Sequence, residues 1–373
     1  MRIQNRVGVL LSALLPLWAV AATAQAPAGR ITMSTGATFV QTLSAVRGER
    51  ESVHRVRLAA DSGLHYEWSF EEVHDNGDTL KGSYRYFEAR TDLATARRFR
   101  FFHAESAPEA HPGYTMHALS RATYRQMREG KSDSLQIMYL DWGPDLGPFS
   151  SLGMSRSRGA TPIRWRGTIA PASPGTVPFS VLLNGRRVEL RAIHLRGDFT
   201  ARQGRWQPQL WVLADSAYPL ILKWLGAFRQ TGNVLQTTRI DFPMDPGIAE
   251  RELSTSCRAE LAGIYFAFNS ALLAPASDDA IASIASILAR HPDWTATLEG
   301  HTDSIGSAVA NKELSERRVA AVRARLIERY KLDPARLKVA GHGDTRPRET
   351  NATIEGRARN RRVELVRDCP PKP

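Results

Sequence analysis

The chain has 373 residues, of which 42% are hydrophobic and 24% are charged, and this composition is that of a folded globular protein rather than a disordered one. Its length allows two domains. The formal net charge of +12 favours an anionic partner, but the arginines are spread along the chain without a nucleic-acid-binding motif, so we do not expect nucleic acid to be that partner.

Residues 1–24 have the pattern of a secretory signal peptide. Arg2 and Arg6 precede an apolar run at residues 7–20, and residues 22–24, Ala-Thr-Ala, form a small-residue cleavage site. We therefore expect an exported protein, with retention of this segment as an anchor as the alternative. Beyond this segment no apolar stretch approaches the length of about 18 residues that a membrane-spanning helix needs, so none is expected in the mature chain.

Residues 30–245 are predicted to form a β-rich domain with a few helices. Its first strands are predicted from alternating apolar and polar residues at positions 38–46, 50–57, 64–73, 80–87 and 134–140, with a turn at 76–78. Helices are predicted at residues 92–103, capped by Thr91 or Asp92, and at 120–130. Residues 142–178 are rich in Gly, Pro and Ser and predict a long loop or a lid.

An antiparallel meander, or half-barrel, is predicted for the second part of this domain. Its strands are predicted at residues 179–183, 188–195, 206–213, 220–228 and 234–242. Asn184 and Gly185 lie between the first two and form a strong hairpin signal. Residues 243–247, Pro-Met-Asp-Pro-Gly, predict the linker to a second domain.

Strands and helices alternate in the C-terminal part, which predicts a βαβαβ domain whose sheet is covered by two helices. The strands are predicted at residues 264–268, 294–300, 337–341 and 363–366, and the helices at 277–290, 309–330 and near residue 355. Ser277 is the predicted cap of the first helix, with Asp278 and Asp279 in its first turn. The predicted fold class of the whole chain is therefore α+β.

One acid and one base stand out in this C-terminal part. Asp303 follows the strand predicted at 294–300, and Arg318 lies on the next helix, at the edge of its apolar stripe. A guanidinium at such an edge needs an acidic partner from the protein or from a ligand. A structural Asp303–Arg318 ion pair and a ligand-binding pair are the two alternatives.

Four motifs resemble the OmpA-like peptidoglycan-binding domain family over about residues 264–366. They are Gly-His-Thr-Asp303, Asn311-x-x-Leu-Ser-x-x-Arg318, Val339-Ala-Gly-His-Gly343 and Glu355-Gly-Arg-Ala-Arg-Asn-Arg-Arg-Val-Glu364. The resemblance implies that Asp303 and Arg318 grip the ammonium and the carboxylate of diaminopimelate in the peptide stem of peptidoglycan. It also implies supporting contacts from Asn269, Asn311 and Arg361, within a domain that we place at residues 257–373.

The two cysteines, Cys257 and Cys369, lie just outside the two ends of this module. In an exported protein, this placement predicts a disulfide, with two unpaired thiols as the alternative.

The middle domain carries a weaker family signal. Residues 211–215 and 219–224 loosely resemble the LolA-like periplasmic half-barrels, which implies a hydrophobic ligand or an envelope protein as partner, whereas a filled core is the alternative. A domain that crosses the outer membrane with strands is disfavoured because residues 50–57 carry charges on both faces.

The chain lacks the sequence motifs of phosphate loops, zinc proteases and serine hydrolases, and its histidines do not have metal-ligand spacing, so no cofactor, metal or catalytic residue is predicted. The favoured function is a non-catalytic envelope protein that binds peptidoglycan and anchors a β-rich domain in the periplasm or at the outer membrane of a Gram-negative cell. The alternatives are a carrier of a lipid-like ligand or lipoprotein tethered to the wall, and a cell-wall hydrolase active in residues 30–245.

Overall fold

The computed structural model describes residues 36–45, 48–59, 63–73, 79–100, 109–110, 112–141, 161–227, 232–267 and 269–369. The predicted signal peptide, the predicted turn at 76–78 and residues 142–160 of the predicted loop lie outside these ranges. Within them the chain forms two hydrophobic cores, one in a first domain before Pro243 and one in a second domain after it. None of the described helices combines the length and the apolar character needed to cross a membrane.

The first domain is built on one large, mostly antiparallel sheet. Its strands are β1 (Thr38–Ala45), β2 (Gly48–Ala59), β3 (Gly63–Val73), β4 (Thr79–Ala89), β5 (Arg98–Arg100), β6 (Glu109–Ala110), β7 (Asp133–Asp141), β8 (Thr161–Pro171), β9 (Val177–Leu183), β10 (Arg186–Ala201), β11 (Gly204–Trp206), β12 (Gln209–Leu213), β13 (Ile221–Leu225) and β14 (Val234–Asp241). Neighbouring strands follow the order β5-β7-β8-β10-β12-β13-β14-β1-β2-β3-β4-β6, with β9 beside β10 and β14, and β11 beside β10.

Alternation along these strands sends one set of side chains into the core of the first domain. Trp165, Trp224, Tyr66, Phe39 and Phe99 are among the largest fully buried side chains. The hairpin predicted from Asn184-Gly185 is present between β9 and β10, where φ is +47° at Asn184 and +74° at Gly185. Two successive residues in the left-handed region are what a two-residue hairpin turn requires, and Asn and Gly tolerate that region best.

Two helices accompany this sheet, α1 (Arg90–Thr95) and α2 (Arg121–Arg128). The prediction for α2 is confirmed, because Ser120 caps it by accepting from the Thr123 backbone N–H. The prediction of a helix over 92–103 is wrong in its extent: α1 ends at Thr95, and Arg98–Arg100 pairs with β7 as a strand that buries Phe99. The predicted caps are also wrong, since α1 starts after Ala89 without a side-chain cap.

The predicted loop over 142–178 is wrong for residues 161–171, whereas residues 172–176 lie outside any strand, as predicted. Residues Thr161–Pro171 form the eleven-residue strand β8, which pairs with both β7 and β10. Ile163, Trp165 and Ile169 alternate inward along it and are buried. Apolar burial on one face of a central strand therefore outweighs the turn preference of the nearby glycines and prolines.

The second domain has a four-stranded sheet in the order β15-β18-β16-β17, with β16 and β17 parallel and the other pairs antiparallel. Its strands are β15 (Arg258–Glu260), β16 (Ala296–His301), β17 (Leu337–Gly343) and β18 (Arg362–Arg367), and its helices are α3 (Pro246–Ser256), α4 (Asp278–Arg290), α5 (Ala308–Tyr330) and α6 (Ile354–Asn360). Apolar faces of α4 and α5 supply Ile281, Ile284, Leu288, Val319 and Val322 to the core under this sheet.

Three local predictions for the second domain are corrected. Of the strand predicted at 264–268, residue 268 lies outside the described ranges and residues 264–267 do not form a strand, since their only ladder contact is a single bridge between Phe266 and Leu273. Ser277 does not cap α4, because its hydroxyl is bound to the backbone N–H and C=O of Tyr265 at 2.8 and 3.0 Å. The predicted linker is shorter, since Pro246 opens helix α3 and Asp245 caps it.

The predicted disulfide is confirmed. Cys257 and Cys369 are bonded, with their Cα atoms 6.1 Å apart and 112 residues apart in sequence. The bond joins the start of β15 to the end of β18, and these two strands are neighbours in the sheet.

Candidate ligand-binding site at the end of strand β16

Close packing of helix α5 on the sheet positions the predicted site. A Cβ atom at Gly300 would lie 2.6 Å from the Ser315 carbonyl oxygen, and one at Gly341 would lie 2.5 Å from the Ser315 hydroxyl. Glycine at both positions lets the helix backbone approach strands β16 and β17 directly. The helix therefore holds Asn311 and Arg318 at a fixed height beside the end of β16.

Asp303 lies two residues beyond the end of β16 and is almost fully buried. One carboxylate oxygen accepts from the Ile305 backbone N–H at 2.9 Å, and the Asn311 side chain donates to the Asp303 carbonyl at 3.2 Å. The other carboxylate oxygen forms an ion pair with Arg361. The carboxylate is thus held in one orientation by the loop, the helix and Arg361.

Arg318 projects from α5 into the same region and is partly buried. Its Nε donates to the Ser270 carbonyl at 3.0 Å, and its guanidinium lies over the Phe266 ring at 5.0 Å from the centroid. Among the described residues it forms no ion pair. Burial lowers the pKa of Arg318 to about 10, although Glu51 nearby acts in the opposite direction. Arg318 is therefore a partly buried cation that no carboxylate in the described ranges pairs with directly.

Arg361 follows the last turn of α6 and joins the site from a third element. The preceding Asn360 is fully buried and accepts from the backbone N–H groups of Arg348 and Glu349 at 2.8 and 3.0 Å. This amide fixes the end of α6 and hence the direction of Arg361. Sequence reasoning named Asn360 only as part of a motif and missed this positioning role.

The structure places the five predicted ligand-binding residues unequally. It brings Asp303, Asn311, Arg318 and Arg361 together, whereas Asn269 is exposed, with φ of +48°, in the loop that supplies the Ser270 carbonyl to Arg318. The structural alternative of a direct Asp303–Arg318 ion pair is not found, because the arginine bound to Asp303 is Arg361. We call the group of Asp303, Asn311, Arg318 and Arg361 the Asp303 site.

A residue of the first domain also contacts this site. The Glu51 carboxylate on β2 accepts from Arg361 Nη2 at 2.6 Å, across 310 residues of sequence. Burial disfavours the charge of Arg361, but Glu51 and Asp303 outweigh it and raise the pKa of Arg361. A cavity of about 50 Å³ lies here between the two domains, lined by Glu51, Arg318, Arg361 and Tyr265 among others.

A second polar cluster lies below the site. Donor atoms of Glu299, His301 and Glu364 converge within 4.8 Å, a grouping that could hold a metal ion. The carboxylate of Glu364, however, already accepts from the guanidinium groups of Arg258, Arg348 and Arg362. Burial alone would raise the pKa of Glu364, but these three arginines outweigh it and lower the value to about 2.

His301 is buried, and its pKa is lowered to about 4 by that burial and by Arg362, so its imidazole is neutral at neutral pH. With guanidinium groups already neutralising Glu364, the cluster is an internal ion-pair network, and a cation placed there would meet like charge.

Comparison with known proteins places this site in a family. Residues 265–361 match the model described as the OmpA family. Outer membrane porin F of Pseudomonas aeruginosa is 46% identical over 84 residues, which are 22% of this chain and 24% of the relative. Outer membrane protein A of Bordetella avium is 39% identical over 104 residues, which are 28% of this chain and 53% of the relative. The peptidoglycan-binding protein ArfA of Mycobacterium bovis is 36% identical over 116 residues, which are 31% of this chain and 35% of the relative.

The chain therefore spans between about a quarter and about a half of the length of these curated relatives. The matched segment contains Asp303, Asn311, Arg318 and Arg361, together with helices α4 to α6 and strands β16 and β17. Residues 265–361 form a domain of the OmpA family.

Proposed function

We propose that this protein is a non-catalytic component of the Gram-negative envelope that binds peptidoglycan through the Asp303 site and anchors its first domain in the periplasm. The observation that carries the proposal is Arg318, a desolvated guanidinium without an ion pair among the described residues, beside the carboxylate of Asp303. A ligand that carries a carboxylate and an ammonium on one carbon complements both charges.

Diaminopimelate in the peptide stem is such a ligand. Its free ammonium suits Asp303, and its carboxylate suits Arg318, whose planar fork binds carboxylates with two parallel hydrogen bonds. The family resemblance assigns the same roles to these two positions, and one relative is named as a peptidoglycan-binding protein. The proposed partner is therefore the peptide stem of the wall, rather than its glycan strand.

Support for the two alternative functions is weaker in the described residues. The interior of the first domain is packed with side chains such as Trp165, Trp224 and Phe199, and the cavity beside His117 measures about 20 Å³. That volume holds about one water molecule, and the groove of about 850 Å³ beside Arg97, Gln136 and Arg166 is open to solvent and does not enclose an acyl chain. The polar groups around it, including Gln41 and His117, are buried, which does not favour a hydrolytic site.

The test is sedimentation of the full mature chain with purified, diaminopimelate-containing sacculi at physiological salt. We expect binding that free meso-diaminopimelate reverses and that Asp303→Ala weakens about ten- to a hundredfold, because one charge-assisted hydrogen bond contributes roughly 1.5–3 kcal/mol. Asp293→Ala is the matched control, since Asp293 is an exposed acid of the same domain. Equal sedimentation of the two variants, or binding that salt alone abolishes, would contradict the proposal.

A further inference from the structure

The outer face of strand β2 lies against the second domain. Alternate residues of a strand share one face, and along β2 these are Glu49, Glu51, Val53 and Arg55. Glu49 forms an ion pair with Arg357, and Glu51 forms one with Arg361. Further along β2, Arg55 pairs with Asp279 of helix α4. Strand β2 therefore contacts the second domain at helix α6, at the Asp303 site and at helix α4.

Glu51 lies beside the expected position of the ligand carboxylate, since it is near Arg318 and forms its ion pair with Arg361. Its carboxylate is bound to Arg361 at 2.6 Å, and it is the acid with the largest favourable effect on the charge of Arg318. Arg361 in turn holds Asp303. The cavity left between these groups, about 50 Å³, is far below the roughly 300 Å³ of an ordinary ligand pocket. A peptide stem cannot enter the Asp303 site while β2 covers it.

The contact between the domains is rich in charge and poor in apolar area. Beyond the contacts of β2, ion pairs join Arg186 to Glu252 and Arg187 to Glu349, and the Gln236 side chain donates to Glu355 at 2.6 Å. The buried apolar cluster that spans the domains is small and consists of Val40, Val53 and Tyr265. Groups of this kind regain their hydration when they separate, so such an interface opens at modest cost.

One contact between the domains, made by Tyr265, is buried more deeply. The Tyr265 hydroxyl donates to Asp241 at 2.6 Å, and Arg239 lies 3.1 Å from the same carboxylate. Both acid and arginine belong to β14 of the first domain, so their ion pair survives separation of the domains. Separation breaks the hydrogen bond from Tyr265, which water replaces, and the contact of the Arg239 guanidinium with the Tyr265 ring, at 6.0 Å from the centroid.

We propose that the first domain competes with peptidoglycan for the Asp303 site. In the closed arrangement strand β2 covers the site and Glu51 takes the place of a ligand carboxylate. Binding to the wall then requires the two domains to separate. This inference rests on the proposed function. Docking of β2 and binding of the peptide stem are mutually exclusive, so each opposes the other by the same coupling free energy. The apparent affinity for the wall is then the intrinsic affinity multiplied by the fraction of molecules in the open arrangement.

The test compares two double variants of the full mature chain. Glu49→Gln with Glu51→Gln removes the two acids that hold Arg357 and Arg361. Glu129→Gln with Glu189→Gln removes two exposed acids of the first domain, so both variants change the diffuse attraction to an anionic wall equally. The probe is a soluble tripeptide stem ending in meso-diaminopimelate, titrated by calorimetry, with circular dichroism as the check on folding.

We expect the Glu49/Glu51 variant to bind the tripeptide at least roughly tenfold more tightly than wild type and the control variant to bind like wild type. Arg55→Gln gives an independent route, because it weakens docking at Asp279 without touching the Asp303 site, and it should also tighten binding. Small-angle scattering should show a larger radius of gyration for the tighter-binding variants.

Unchanged affinity in the Glu49/Glu51 and Arg55 variants, with binding still lost on Asp303→Ala, would overturn the occlusion and leave the proposed function intact. Weaker binding by the Glu49/Glu51 variant would also overturn it, since Glu51 would then belong to the ligand site. Absence of binding in every variant would remove the proposed function itself.

Discussion

Replacement of Arg318 by methionine separates a ligand-binding arginine from a structural one. In the folded protein the pKa of Arg318 is lowered from 12.5 to about 10, but the guanidinium is still charged at neutral pH. Holding this charge lowers the free energy of unfolding by about 3 kcal/mol. Methionine removes that contribution. It also removes the hydrogen bond to Ser270, worth about 1 kcal/mol, and the stacking of the cation on Phe266, worth about 1 kcal/mol.

The balance predicts that Arg318→Met raises the free energy of unfolding by about 1 kcal/mol while binding of the tripeptide stem is lost. A structural ion pair behaves differently, because removal of one partner of a buried pair lowers stability by about 3–5 kcal/mol. Urea denaturation followed by circular dichroism and fluorescence measures the change. Arg317→Met is the matched control, since Arg317 is an exposed neighbour whose ion pair with Glu313 is long, at 3.6 Å.

The control should change stability by less than about 0.5 kcal/mol. The reasoning is refuted if Arg318→Met loses 3 kcal/mol or more relative to Arg317→Met. It is also refuted if Arg318→Met binds the tripeptide as wild type does, because the guanidinium would then have no ligand to complement.

Three further predictions concern stability. Replacement of Cys257 and Cys369 by serine should lower the unfolding free energy by up to about 4.7 kcal/mol, the chain-entropy value for a loop of about 100 residues, and unchanged urea midpoints in oxidising buffer would contradict this. Burial raises the pKa of Glu88 to about 7, so its contribution to stability is present below about pH 4.5 and is lost as the pH rises through 7. Glu88→Gln should therefore gain on wild type by up to about 3 kcal/mol between these pH values in thermal melts, and a pH-independent difference would show that Glu88 does not titrate there. Gly300→Ala places a Cβ 2.6 Å from the Ser315 carbonyl oxygen and should cost about 1–3 kcal/mol with weaker tripeptide binding; a neutral result would show that α5 can shift.

Sequence patterns predicted those elements whose signals are local. The β9–β10 hairpin follows from Asn184-Gly185, and helix α5 follows from its apolar stripe. Residues 264–268 show why alternation alone fails. Tyr265 alternates as a strand residue does, but its backbone is bound by Ser277 and its side chain reaches Asp241 in the other domain. The conformation of this segment is determined by contacts with residues distant in the sequence, which a local pattern cannot reveal.

The candidate site divides in the same way. Asp303, Asn311 and Arg318 lie within one strand–loop–helix unit, and the sequence predicts them together. The pairing of Asp303 with Arg361 and the contact of Arg361 with Glu51 depend on how distant elements pack. The sequence around Glu51 shows only charged residues along β2 and does not single out Glu51. Its contact with Arg361 depends on the packing of the two domains.

Under the proposed function the protein is held at one end by the wall, and the disulfide then has a mechanical consequence. A pulling force transmitted from the first domain enters the second domain through helix α3 and passes from its end to Cys257, at the start of β15. That strand pairs with β18 through only three residues, so alone it would peel from the sheet edge under load. The bond to Cys369 passes the tension to the end of β18, which is hydrogen-bonded on both sides. The hydrogen bonds on both sides of β18 then bear the load in shear. The domain is therefore expected to stay folded and bound to the wall even if β15 separates from the sheet.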